Sequence, residues 1–373
     1  MYDVVIQNGK VIDGTGRPAY EADIGIQNGK IAKIAPVIST QAKRTVDAQG
    51  KVVAPGFVDF HSHADGYALF GTPGYEKLEQ GITTEITGHC GDSIVPGYDG
   101  FLDSLQGAVP QAELQRVENI CRTPDSFIDA VSAMRFGTNM AYFIGHGSIR
   151  ARVMGYAAQR PDAAQLAQMK DFVRSAMENG FVGLSSGLIY PPSVYADTEE
   201  LKELAAVAAE YDGRYTSHIR GEGDSVVGAV REAIEIGEST GCTVIISHLK
   251  VYGKQNVGKS KEICRMIEQA NRRGKKKVYA DQYPFIAGCT SLVSALPPAF
   301  ATDGIPALIE KLHDEQWRQK ITRAIERGED GGHLLSYCGF DGCMVLTASE
   351  SPQAVGKSIA QLAGQAGKSC YDT

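Results

Sequence analysis

The sequence predicts an α/β protein: a TIM-like (β/α)8 barrel that lacks its last strand in this chain, preceded by a small β domain. Three observations predict it. From residue 55 onward apolar runs alternate with helical segments. The runs end in polar, mostly histidine-bearing residues, as strands do at the functional end of such a barrel. The ends also recur at one strand–helix period, 30 residues from His218 to His248 and 33 from His248 to Asp281.

Residues 1–54 read as short strands and turns, "YDVVIQNGKVIDG", "ADIGIQNGKIAKIAP" and "RTVDAQGKVVAPG". "QNGK" occurs twice, and Asn-Gly suits a type I′ hairpin turn. These strands are few for a closed sandwich, so they form part of one and need partners from elsewhere. Residues 55–373 make the barrel, through "GFVDFHSH", "ITTEITGHCG", "MAYFIGHGS", "GFVGLSSGLIY", "RYTSHIRGE", "TVIISHLKV" and "KVYADQYPF". That gives seven strands where eight are expected.

The intervening segments carry helical periodicity. Leu166, Met169, Val173 and Met177 recur at helical spacing before Gly180, a natural helix stop. Leu201, Leu204, Ala205 and Ala208 line another face, with Thr198 as the expected cap. Asp224 and Ser260 are the expected caps of the next two helices. A loop-rich insert is expected at about 286–350, followed by a helix in "AVGKSIAQLAGQAG". The end at "KSCYDT" leaves the barrel pattern incomplete at its C-terminus, and the expectation is that the reading frame continues.

Composition narrows the class. The chain has 373 residues, 43% hydrophobic, with net charge −7 and one short basic run, "RRGKKK", at a helix end. Such a balance argues against a nucleic-acid partner. No run approaches the ~18 apolar residues of a membrane span, and "MYDVVIQNGK" lacks a secretory leader pattern, so a cytoplasmic location is expected. Eight cysteines without a compact framework read as reduced thiols. Nothing in the sequence fixes the oligomeric state.

Chemistry gathers at the strand ends. In an extended strand His61, His63 and Asp65 share a face. Of the 8 histidines, His61, His63, His89, His146, His218 and His248 fall at strand ends. Cys90, His218 and His248 make a sulfur and nitrogen donor set suited to zinc with an open position. The alternative for Cys90 is an inert buried thiol. His61 and His63 would border a second, weaker metal position. His89 either orients Cys90 or packs beside it, and His146 is a candidate for substrate contact. His313 and His333 read as surface residues.

"VAPGFVDFHSHAD", "TEITGHCG", "TSHIRGE", "ISHLKVYG" and "YADQYPF" resemble the N-acyl-D-amino-acid deacylase (D-aminoacylase) branch of the amidohydrolase superfamily. H-x-H identifies the superfamily broadly; "GHCG" and "SHLK" narrow it. The resemblance implies a metal-dependent hydrolase barrel with one tight Zn2+ site at Cys90, His218 and His248 and a possible weak site at His61 and His63. It also implies a cysteine in place of a strand-four lysine, and "GFVGLSSGL" indeed offers Ser185 and Ser186 but no lysine. The reaction implied is hydrolysis of a small N-acyl-D-amino acid. The resemblance further implies a strand-eight aspartate as proton carrier. No residue here matches it, because the chain ends first.

Lys250 and Arg220 stand two residues beyond His248 and His218 and are candidates for the substrate carboxylate; the alternative pairs each with an acid such as Glu222 or Asp224. The resemblance favours Lys250. It also implies Tyr190 and Tyr283 as pocket residues, and Cys289 stands where relatives often carry serine. Two other readings stay open: a cyclic-amide hydrolase of the hydantoinase or dihydropyrimidinase kind, and a truncated, non-catalytic metal-binding protein.

Overall fold

The computed structural model describes residues 1–70, 74–98, 100–102, 110–274, 277–329 and 334–373. The chain forms two compact units, one of Met1–Val58 with Glu76–Thr84 and one of Asp59–Tyr75 with Glu85–Thr373.

The N-terminal unit holds β1 (Tyr2–Val11), β2 (Tyr20–Gln27), β3 (Lys30–Ala35), β4 (Ala42–Asp47) and β5 (Val52–Val53). Their order is β3-β2-β1-β4, with β5 also on β1. The two "QNGK" copies part ways. The second turns between β2 and β3 with φ of 53° at Asn28 and 71° at Gly29, as a type I′ turn requires. The first stays inside β1 as a bulge, where the register to β2 shifts between Ile6 and Gly9. Partners on both sides of β1 explain the difference. Asp23 accepts the Asn8 amide at 3.0 Å, and Asn8 Nδ2 donates to Asp47 at 2.9 Å. The same tetrapeptide thus turns where it can end a strand and bulges where pairing continues.

A seven-stranded sheet follows in chain order: β6 (Phe57–Asp59), β7 (Ile82–Thr87), β8 (Asn139–Gly145), β9 (Gly183–Gly187), β10 (Arg214–His218), β11 (Thr243–Ile246) and β12 (Val278–Ala280). From β8 to β12 each strand pairs parallel with the next. Helices between the strands bury apolar faces in one continuous core that includes Ile144, Met169, Leu184, Leu204, Tyr215 and Val244. The described residues contain no further strand after Ala280 beyond an isolated bridge from Met344 to Ser358.

The helix Ala163–Glu178 buries Met169, Val173 and Met177 as the spacing predicts, and Gly180 leaves it at φ 82°. Its start is a capping box of Asp162 and Gln165. Other caps are shifted by one or two residues. Asp197, not Thr198, caps Thr198–Glu210, because the Thr198 hydroxyl is engaged by Glu232 at 2.8 Å. Val226–Thr240 and Lys259–Arg273 start after Ser225 and Gly258, without a side-chain cap. Asp224 instead accepts from Asn256 at 2.7 Å, and Ser260 lies inside its helix.

The segment expected to be loop-rich carries three helices among the described residues, Ile305–His313, Glu315–Glu326 and Leu334–Gly342. The first two close a small core of Phe300, Ala301, Leu308, Ile321 and Ala324. The signal was in the residues: Ile305, Leu308 and Leu312, then Trp317, Ile321 and Ala324, recur at helical spacing. His313 is exposed, and His333 lies outside the described residues. No described helix is long and apolar enough to cross a membrane.

Candidate metal centre

Every candidate donor lies at or just past the C-terminal end of a sheet strand, and three of them meet. Sγ of Cys90 and one ring nitrogen each of His218 and His248 lie within 4.8 Å of one another. His61 and His63 form a second group with the same sulfur, within the same distance. Sγ of Cys90 stands 3.4 Å from Nε2 of His61 and 3.5 Å from Nε2 of His248. The His218 and His248 rings meet edge to face at 4.3 Å.

Local backbone produces this convergence. Past β7 the chain leaves extended geometry, with φ of 77° at Gly88, 57° at Cys90 and 74° at Gly91. A non-glycine residue at positive φ is uncommon, and here it turns the thiol toward the histidines. The loop is tied down by Ser185: its Oγ donates to the Gly88 carbonyl at 2.5 Å and accepts the Gly91 amide at 3.1 Å. So one of the two strand-four serines anchors the cysteine loop. His248 also sits at positive φ, 36°, two residues past β11.

Two carboxylates orient the histidines. Asp281, the residue after β12, holds Nδ1 of His61 at 3.1 Å and accepts the His248 amide at 2.6 Å. Glu222 holds Nδ1 of His248 at 2.9 Å. In both rings Nε2 faces the sulfur, and in His61 it is the Asp281 carboxylate that fixes the imidazole, whereas Nδ1 of His248 is reached by the Lys250 ammonium as well as by Glu222. Neither role was legible in the sequence, where Asp281 marks only a strand period. Alternation along a strand cannot place Asp65 either, since β6 stops at Asp59. Asp65 turns away into a 3-10 turn and accepts the Gly88 amide at 3.0 Å. Burial pushes its carboxyl up to about 7.

The same environment sets the protonation of the donors. Burial, then the charges of Asp281 and Glu222, pushes the Cys90 thiol far up. Burial, then His248 and Lys250, holds His218 well below its ordinary range. Packing first, then His61 and His248, brings His63 down to about 4. Without a cation Cys90 is therefore a neutral thiol beside the neutral imidazoles of His218 and His63. A metal ion fits it on two grounds. Sulfur and imidazole are zinc donors, and both ring nitrogens of His218 are buried without a hydrogen-bond partner among the described residues. Such a buried orphan costs about 1–3 kcal/mol unless something satisfies it.

The remaining candidates separate clearly. Lys250 Nζ lies 2.9 Å from Nδ1 of His248 and 2.5 Å from Glu222, the acid pairing left open by the sequence. Its ammonium also sits 5.5 Å from the Tyr283 ring. The Tyr190 ring meets His218 edge on at 5.0 Å, and its hydroxyl is 3.1 Å from Thr290 Oγ1. Cys289, beside Thr290, is exposed. Arg220 is not brought to the donors. It pairs with Glu232 at 2.9 Å and donates to the carbonyls of Val194 and Ala196, because the chain turns after His218 and strand alternation no longer directs it inward. His89 stacks on His61 at 4.1 Å, and one of its ring nitrogens lies within 4.8 Å of donor atoms of His61 and Asp281. His146 is wholly buried with both ring nitrogens engaged, so it contacts no substrate.

A buried thiol among imidazoles at the C-terminal ends of a seven-stranded α/β sheet is a donor set that fits a divalent metal. The amidohydrolase family profile matches residues 44–329. N-acyl-D-glutamate deacylase of Alcaligenes xylosoxydans xylosoxydans is 38% identical over 93% of this chain and 67% of its own length. D-aminoacylase of the same organism is 36% identical over 78% of this chain and 59% of its own. N-acyl-D-glutamate deacylase from Bordetella bronchiseptica, solved with zinc and a phosphonate mimic of the tetrahedral intermediate, superposes with a TM-score of 0.80 at 32% identity. That match covers 99% of this chain and 68% of the solved one. The chain belongs to the amidohydrolase family, in its N-acyl-D-amino-acid deacylase branch.

Proposed function

We propose that this chain carries the metal site of a zinc-dependent deacylase that splits the amide of small N-acyl-D-amino acids into a carboxylate and a free D-amino acid. The observation that carries the proposal is the meeting of Cys90, His218 and His248, with both nitrogens of buried His218 lacking a hydrogen-bond partner among the described residues. Cys90, His218 and His248 would hold the tight ion, and His61 with His63 would border a weaker second one. The described residues supply seven strands of the eight that such a barrel would have. When bound, zinc supplies Lewis-acid polarisation of a carbonyl and acidifies water.

The chain's own residues do the rest. Asp281 keeps the His61 ring in the tautomer that presents Nε2 inward, and Glu222 with Lys250 packs against Nδ1 of His248. Lys250 offers the cation for the substrate's free carboxylate, exchanging its bond to Glu222 for one to the ligand. Tyr190 and Tyr283 wall the space beside His218 and Lys250. Arg220 has no part in this proposal, since Glu232 and two carbonyls already occupy it. The D preference rests on the relatives' names. Serines in place of a strand-four lysine weigh against a cyclic-amide hydrolase.

The test is a panel of N-acetyl and N-formyl D- and L-amino acids, together with hydantoin and dihydrouracil, incubated with the zinc-loaded chain. Amine release from D substrates alone is expected. Ring opening instead would favour the cyclic-amide reading. Full zinc content with no turnover on any substrate would leave a metal-binding protein without catalysis.

A further inference from the structure

A second buried polar cluster lies apart from the metal donors. His146, which follows β8, sets its Nδ1 at 2.6 Å from Ser193 Oγ and its Nε2 at 2.9 Å from Glu200 Oε1. Arg150 NH1 donates to both Glu200 oxygens, at 2.7 and 2.5 Å, and NH2 donates to the carbonyls of Ala157 and Gln159. Burial alone would raise the Glu200 carboxyl, but His146 and Arg150 outweigh it and hold it below its ordinary range.

Serine, imidazole and carboxylate are the groups of an acyl-transfer triad. Here Ser193 is only 2% exposed, and the bonds run inward to a buried arginine. No substrate reaches that hydroxyl. The chain of bonds is an anchor, and what it holds is the loop after β9.

That loop is fixed at several points. The Leu188 amide donates to the His218 carbonyl at 2.9 Å, and the Val194 amide to the Tyr190 carbonyl at 2.9 Å. Arg220, braced by Glu232, grips the carbonyls of Val194 and Ala196 at 3.1 and 2.9 Å. The Tyr195 hydroxyl donates to the Pro298 carbonyl at 2.7 Å. Between these anchors stands Tyr190, edge on to the His218 ring.

We propose that His146 and Ser193, backed by Glu200 and Arg150, are positioning residues that brace residues 188–196 so that Tyr190 is held against His218. The kinetic part of this proposal rests on the deacylase reading above. A substrate wall displaced by about 1 Å can lower turnover efficiency by roughly 100-fold, so a brace of this kind belongs to the site although it touches no ligand.

Ser193→Ala in the zinc-loaded chain removes one oxygen and tests the brace. Amide hydrogen exchange across 188–196 should accelerate by about tenfold or more, with zinc content and exchange elsewhere unchanged. KM for an acyl-D-amino acid should rise by about tenfold with a smaller change in kcat. In a Tyr190→Ala background the same substitution should change KM by less than about twofold, since groups acting through one another are not additive. Unchanged exchange at 188–196, or additive effects of the two substitutions, would overturn the proposal. If the wild-type chain hydrolyses no acyl-amino acid, the deacylase reading fails, and the exchange measurement still decides the brace.

Discussion

The donors read from the sequence, Cys90, His218, His248, His61 and His63, were visible because imidazoles and a thiol at one strand–helix period have few structural explanations. The residues that aim them were not. Glu222 and Asp281 act through loop geometry that no periodicity encodes, and each sits beside a histidine about 26 to 220 positions away in sequence. Arg220 shows the converse failure. It matches the spacing of Lys250, but the turn after His218 delivers it to Glu232. Glu222 itself is held between Nδ1 of His248 and the Lys250 ammonium. Glu222→Gln keeps a hydrogen-bond acceptor and loses the charge that stands beside Nδ1 of His248 and holds the Lys250 ammonium there. Zinc affinity should fall by about 10- to 100-fold, measured by competition with a chromogenic chelator. Unchanged affinity would mean that Glu222 serves Lys250 alone.

At the scale of elements, apolar periodicity located the helices well and their first residues poorly. The buried faces of Ala163–Glu178 and Thr198–Glu210 follow the spacing of their apolar residues. Caps fell one or two positions off because Thr198 and Asp224 each had a tertiary partner competing for the same side chain. The loop joining β7 to the site was legible as a motif, "GHCG", but its shape was not. It depends on a glycine of β9, two strands away in the sheet, as well as on its own glycines. A Cβ at Gly187, in β9, would stand 1.8 Å from the Cys90 carbonyl oxygen, a contact no backbone can hold. Gly187→Ala should therefore push the Cys90 loop off its Ser185 anchor. Expected are a loss of about 1–3 kcal/mol of stability from overpacking and zinc content well below that of wild type. A variant with normal zinc and normal unfolding would show that β9 and the loop can part without disturbing the thiol.

For the whole molecule, the donors come from three strand–helix units, and only the folded sheet brings the ends of β7, β10 and β11 together. The unfolded chain offers a thiol and two imidazoles separated by 158 positions between Cys90 and His248, with no shared centre. Zinc should therefore bind the folded state in strong preference to the unfolded one, and binding free energy becomes folding free energy. At free zinc of 100 times Kd this linkage is worth about 2.7 kcal/mol, and it grows by about 1.4 kcal/mol for each further tenfold. Thermal unfolding followed by circular dichroism should shift upward by a few degrees with zinc and return on chelation. Cys90→Ala should unfold at one temperature under both conditions, since it removes the sulfur shared by both donor groups. Burial of His218 gives the variant a second signature. With no ion to satisfy them, the ring nitrogens of His218 remain orphaned, so the Cys90→Ala protein should also unfold below zinc-loaded wild type by more than the loss of a small buried side chain accounts for. A wild-type transition indifferent to zinc would place the ion elsewhere and detach the cysteine from it.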